Sequence, residues 1–152
     1  LRSIFVAKSK TLLISTDVDN SQKAFIFAKE IAYNYLKIEE RLYTFSWIKF
    51  ENFDQVLNNF YASYFAGALL LPRKKMIEKL DIFIAKENPK PQEFVQLISD
   101  FKVSPETFYQ RLTNILPKDF QLKNLFLMDV GIFSSKPQSG RVVAVMFETI
   151  QN

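Results

Sequence analysis

The stretch Asn58-Asn59-Phe60-Tyr61-Ala62-Ser63-Tyr64-Phe65-Ala66-Gly67-Ala68-Leu69-Leu70-Leu71-Pro72 decides the fold. It is almost wholly apolar from Phe60 to Leu71, with small residues at Ala62, Ala66, Gly67 and Ala68. A segment apolar on every side predicts a buried helix rather than a surface one. It is too short to span a bilayer, which needs roughly 20 apolar residues. Its small residues admit close approach of a second helix. Pro72 ends it, because proline disfavours a helical conformation in the residue before it.

The second helix is read upstream. Residues 17–21 are polar and supply N-cap candidates. A helix is expected from there to about Lys37, its apolar face being Ala24, Phe25, Ala28, Ile31, Ala32, Tyr35 and Leu36. Residues 3–8 and 11–15, rich in Ile, Val, Phe and Leu, read as two short strands joined at Ser9-Lys10. Residues 41–50 are mixed and suit an extended connection, with the buried helix beginning near Phe53-Asp54.

After Pro72 a helix is expected over residues 73–86, with Met76, Leu80, Phe83 and Ile84 on its apolar side. Residues 87–91 carry two prolines and mark the expected internal boundary. Two helices follow, over 92–101 and 105–116. The second has Ser104 as N-cap and Pro105 at its first position, a strong start signal. Residues 125–133 and 142–149 read as strands, separated by a polar loop at 134–140. The expected class is α+β in a single domain over residues 1–152. Residues 1–86 would form a helical core with a small sheet, and residues 91–152 a helix pair with C-terminal strands.

Composition narrows the chemistry. The 152 residues contain neither Cys nor His. Structural zinc sites use thiolates and imidazoles, catalytic ones usually need a His, and triad hydrolases need a His base. Three glycines leave little room for a phosphate-cradling loop, and a net charge of +4 is too mild to imply a nucleic-acid surface. The absence of Cys fits a cytoplasmic protein. No signal peptide and no membrane span are read. Because the chain opens Leu-Arg-Ser without Met, it is expected to be an excised domain.

The string Ser63-Tyr-Phe-Ala-Gly-Ala-Leu-Leu-Leu-Pro72 resembles the second signature of the ImmA/IrrE metallopeptidase family. It is closer still to metal-free relatives, the XRE-type short-chain fatty acyl transcriptional regulators. The resemblance implies a zincin-like helical core, and it matches Tyr61 to a glutamate that is the peptidases' third zinc ligand. Upstream, Phe25-Ile-Phe-Ala-Lys-Glu-Ile-Ala-Tyr-Asn-Tyr-Leu36 is similar to the family's zinc helix, with Lys29, Glu30 and Tyr33 in place of His-Glu-x-x-His. Only the glutamate base is retained. A protonated lysine cannot ligate, and a phenol with a pKa near ~10 is a poor ligand at neutral pH. The resemblance therefore implies a metal-free domain with no cofactor and no peptidase activity.

Two readings of that degenerate site stay open. Lys29, Glu30, Tyr33 and Tyr61 together form a ligand-binding cluster for a small anion, or they satisfy one another by hydrogen bonds. Arg73, Lys74 and Lys75, with Lys79, are a solvated helix face or an anion site for the phosphates of an acyl-coenzyme A.

The helix pair after Pro91 has the rhythm of a helix-turn-helix, with Val103 packed in the turn and Glu106, Thr107, Tyr109 and Gln110 in line for bases. Its charge opposes DNA, with Lys102 and Arg111 against Glu93, Asp100 and Glu106. The expected function is a non-catalytic effector-binding domain of a bacterial transcription regulator. Its effector would be an acyl or acyl-coenzyme A compound, and DNA would be read through a missing N-terminal domain. A catalytically dead scaffold, including a homodimer, and DNA contact through residues 92–116 are the alternatives.

Overall fold

A computed structural model describes residues 2–39 and 52–122, together with the backbone of two further strands, Leu125–Gly131 and Arg141–Phe147. The expected connection at 41–50 and the loop at 134–140 lie outside the described residues. The class is α+β. In order come β1 (Ser3–Val6), β2 (Thr11–Ile14), α1 (Asn20–Tyr35), α2 (Phe53–Leu70), α3 (Arg73–Ile84), α4 (Pro91–Asp100), α5 (Pro105–Asp119), β3 (Leu125–Gly131) and β4 (Arg141–Phe147). β1 pairs antiparallel with β2, and β3 with β4.

The chain forms two compact units, Leu1–Leu70 and Leu71–Asn152. The division thus falls at the end of α2 and not at the two-proline break. Contacts across that break explain why. Lys79 pairs with Asp100 at 3.5 Å, Lys86 with Glu93 at 3.1 Å, and the Phe83 and Phe94 rings stand 5.2 Å apart. These tie α3 to α4.

In the first unit the β1–β2 hairpin turns over residues 7–10, earlier than expected, with the Lys10 N–H donating to the Ala7 carbonyl at 3.3 Å. Helix α1 starts where Asp19 Oδ1 accepts from the Gln22 N–H at 2.8 Å. It ends in a Schellman motif without glycine. Ile38 N–H donates to the Tyr33 carbonyl, Lys37 N–H to that of Asn34, and Lys37 sits at φ 54°. Ile38 packs against the Tyr33 cluster, the apolar contact that accompanies such an ending.

Helices α1 and α2 run the same way. Lys29 meets Asn59, Ala32 clusters with Ala62, and the Tyr35 ring lies tilted against that of Phe65, always 30 residues apart. Ala32, Ala62 and Ala66 are fully buried, so the backbones approach through methyl groups. Two expectations are corrected here. Helix α2 is not buried all round, because Phe60, Tyr61, Tyr64 and Leu69 are exposed. Its extensive contact among the described elements of this unit is with α1, and one helix covers only one face. The buried side of α1 is likewise rotated from the expected one toward Ala28, Lys29, Ala32 and Tyr33, leaving Ile31, Tyr35 and Leu36 exposed.

The second unit has an ordinary core. Phe108 is fully buried, with Met76, Leu80, Leu97, Leu112, Ile115 and Leu116 also buried. The rings of Phe94 and Phe101 lie 6.0 and 5.7 Å from that of Phe108. Ile84, expected on the apolar side of α3, is exposed at its last turn. Ser104 caps α5 by accepting from the Thr107 N–H at 3.3 Å, with Pro105 at the first helical position. Helix α5 continues three residues past its expected end and carries Pro117 in its last turn. Buried Arg111 donates from Nε to the Leu71 carbonyl at 3.2 Å.

Candidate functional site

The site is built at the middle of the α1–α2 contact. Lys29 follows buried Ala28 and precedes buried Ala32 and Tyr33, so its side chain enters the contact. Its Nζ donates to Asn59 Oδ1 at 2.7 Å and lies 5.9 Å from the centre of the Tyr33 ring. Burial lowers the Lys29 pKa from 10.5 to about 8, since desolvation disfavours the ammonium. The amine is therefore poised near neutrality, held by one neutral acceptor and the face of a phenol ring.

The structure brings together only part of the expected cluster. Lys29 and Tyr33 meet at the contact. Lys29 also meets Asn59, a residue not singled out in the sequence. Asn59, Ala62 and Ala66 are three and four residues apart and share one face of α2. Tyr61, two residues past Asn59, points about 200° round the helix at 3.6 residues per turn. It is exposed and sits edge-on to Phe60, with ring centres 6.2 Å apart. The signal for Asn59 was in the sequence: it continues the small-residue stripe of Ala62 and Ala66 by one turn.

Glu30 points to another side of α1, where its Oε1 accepts from Asn34 Nδ2 at 2.8 Å. There it joins Tyr33 in lining an open cleft of about 890 Å³ between α1 and the β1–β2 hairpin. Phe5 and Leu12 give the cleft an apolar wall, and Lys10, Lys37 and Glu39 charge its rim. Lys10 and Lys37 both adopt left-handed backbone conformations, at φ 49° and 54°.

The basic cluster on α3 is distributed among separate partners. Arg73 grips Asp119 through two nitrogens, at 3.1 and 2.5 Å. That bidentate pair holds the Asp119 carboxyl below its ordinary pKa. Lys75 lies over the Phe101 ring at 5.5 Å, Lys79 pairs with Asp100, and Lys74 is exposed.

In the α4–α5 pair Val103 is buried in the turn, as the helix-turn-helix rhythm predicts. Thr107 is not available to bases, because it is buried with its hydroxyl 3.0 Å from that of Ser104. Tyr109 is half-buried against Phe94 and Phe108, Glu106 is half-buried, and Gln110 is exposed.

Among the described residues no group of three or more His, Cys, Asp or Glu side chains stands together, and no helix is long and apolar enough to cross a membrane. Nothing among curated proteins and nothing among solved structures matches the chain. The sequence model of the IrrE N-terminal-like domain, a peptidase family by name, matches residues 2–113, about three quarters of the length. The chain belongs to the IrrE N-terminal-like domain family.

Proposed function

We propose that this chain is a non-catalytic, effector-binding domain of a bacterial transcription regulator, a metal-free member of its family. The observation that carries the proposal is the Lys29–Asn59 hydrogen bond. It occupies the level of the α1–α2 contact at which the resemblance sets a metal between a His-x-x-x-His pair and a glutamate. An amine, a phenol and a carboxamide do not make a zinc site at neutral pH, where thiolate, imidazole and carboxylate are the usual donors. With no His and no Cys anywhere in the sequence, zinc does not fit. Glu30, on another side of α1, is left without a metal-bound water to activate.

The effector is assigned to the cleft beside Glu30 and Tyr33. Its apolar wall suits a short acyl chain, and Lys10 and Lys37 suit a carboxylate or phosphate. The Arg73 cluster is the weaker candidate, because a phosphate would have to displace Asp119 from Arg73. DNA would be read by another part of the regulator. The α4–α5 pair is net acidic and keeps Thr107 buried. A second role, as a scaffold for protein contacts, is favoured by the exposed apolar side chains of α1 and α2.

Two experiments test the proposal. Native mass spectrometry of the untagged chain is expected to show a co-purified or added short-chain acyl-coenzyme A, retained by the parent and lost in Lys37→Glu. Elemental analysis is expected to find no zinc. Restoring ligands by Lys29→His, Tyr33→His and Tyr61→Glu, the positions the resemblance matches, should create zinc affinity. Stoichiometric zinc in the unaltered chain would overturn the metal-free assignment.

A further inference from the structure

The Lys29 amine has neutral surroundings among the described residues. On α1 the centre of the Tyr33 ring lies 5.9 Å from Nζ, and on α2 Asn59 Oδ1 accepts from Nζ at 2.7 Å. The neighbouring Glu30 carboxylate is turned to Asn34 instead. No described carboxylate therefore holds the amine in its protonated form, and desolvation by itself accounts for its lowered basicity. Lys29 is nevertheless only half-buried, unlike Ala28 and Ala32 beside it, so its side chain keeps an opening to solvent.

We propose that Lys29 is a site of covalent acylation, taking a short acyl group from an activated donor, an acyl phosphate or a thioester. The lone pair of the neutral amine attacks the acyl carbon and forms the C–N bond. The C–O bond to phosphate or the C–S bond to the thiol breaks, and the leaving group keeps the electron pair. The surplus amine proton passes to water, and nothing is oxidised or reduced. The contact with Asn59 favours an acyl donor over an aldehyde. A secondary amide keeps one N–H, which can still donate to Asn59 Oδ1, whereas a neutral imine has none and would set two acceptors against each other. The amide is also uncharged, which suits a desolvated position between methyl groups.

Magnitudes decide whether the position stands out from the other lysines. At pH 7 about one chain in ten carries the free amine at Lys29, whose pKa is lowered to about 8. For a lysine at the ordinary 10.5 the share is about one in three thousand. Nucleophilicity falls with basicity, and a Brønsted slope of about 0.4–0.5, the thiol value, removes a factor of roughly ten. A net advantage of at least about tenfold remains. Acylation would hold position 29 neutral at every pH, a state that the free amine reaches only above about pH 8. The inference does not rest on the effector reading, since a covalent mass on Lys29 and a ligand retained in the cleft are separate measurements.

The test incubates the full chain with acetyl phosphate and, in a second arm, with acetyl-coenzyme A, and follows each lysine by peptide mass spectrometry. At pH 7 Lys29 is expected to gain acetyl at least about tenfold faster than the exposed Lys8 and Lys74 in one arm or both, and the arm that reacts identifies the donor. Its rate should be half-maximal near pH 8, while theirs keep rising toward pH 10.5. Asn59→Asp separates reactivity from mere exposure. It sets a carboxylate against the ammonium at almost unchanged size, raising the Lys29 pKa by at least about one unit and slowing acetylation at pH 7 at least about threefold. Circular dichroism establishes that the variant is folded, and the pH profile of the unaltered chain discriminates even if it is not. Equal rates at Lys29, Lys8 and Lys74 overturn the proposal. So does a Lys29 left unmodified in both arms, or a preference that a folded Asn59→Asp leaves unchanged.

Discussion

In the α1–α2 pair the contact is made by methyl groups, with Ala28, Ala32, Ala62 and Ala66 buried and a lysine amine among them. In the α3–α5 bundle it is made by large side chains around the Phe108 ring, with Met76, Leu112 and Ile115 each almost wholly buried. Methyl contacts bring backbones close but remove little apolar area from water, so such a pair gains less from burial. The bundle gains more and has an ordinary core. The first unit therefore combines a desolvated amine with an open cleft, while the second has the larger apolar core.

The comparison is broken most directly at Phe108. Phe108→Ala is expected to cost about 3–5 kcal/mol, the range for emptying a fully buried aromatic site. Urea unfolding followed by tryptophan-independent circular dichroism measures it. A loss below about 1 kcal/mol would mean that the bundle collapses readily around the cavity and is not the better-packed region.

Much of this division was legible in the sequence. The Ser104-Pro105 start of α5, the Phe53 start of α2 and the Met76 and Leu80 positions of α3 could be read from spacing and capping chemistry, and each stands where expected. What escaped was rotation. The alanine stripe of α2 that meets α1 was legible. An all-apolar sequence, however, does not say that the other sides of α2 stay exposed, and the side of α1 that faces it was read one position off. Asn59, which the Lys29 amine meets, was not singled out in the sequence. The unit boundary was misplaced for a related reason. Pro89 and Pro91 interrupt the backbone locally, but the ion pairs and ring contacts between α3 and α4 are long-range facts with no sequence period.

Lys29 sharpens the comparison next. Its folded pKa of about 8 lies below the ordinary 10.5. Between those values the unfolded chain holds a proton that the folded chain has released, so stability rises with pH through that window. Below about pH 8 both states are protonated and the full cost of the buried ammonium is present. The rise should amount to roughly 3 kcal/mol, at 1.36 kcal/mol per unit. Lys29→Met should be the more stable protein at pH 7 and should lack this rise, while the titrations of the other lysines cancel between the two. Parallel stability curves for the two proteins from pH 7 to 10.5 would remove the buried amine from the description of the first unit.

The finest test uses neighbouring residues of α2. Ala66 is fully buried at the contact with α1. A leucine there has no room, and Ala66→Leu should cost roughly 1–3 kcal/mol by overpacking. Gly67 was read with Ala66 as part of the small-residue surface, yet a Cβ built on it meets no atom of the described residues within 4 Å. Close approach therefore does not require a glycine at that position. Its backbone is helical, so Gly67→Ala should stabilise the chain by about 0.5–1 kcal/mol, by restricting the unfolded chain and improving helix propensity. Thermal and urea midpoints of the two variants should consequently move in opposite directions. If both fall, the approach to α1 is broader than the alanine stripe and includes the Gly67 side. If both rise, the methyl-group contact at Ala66 is loose, and the contrast between the two units would have to be sought in the buried lysine alone.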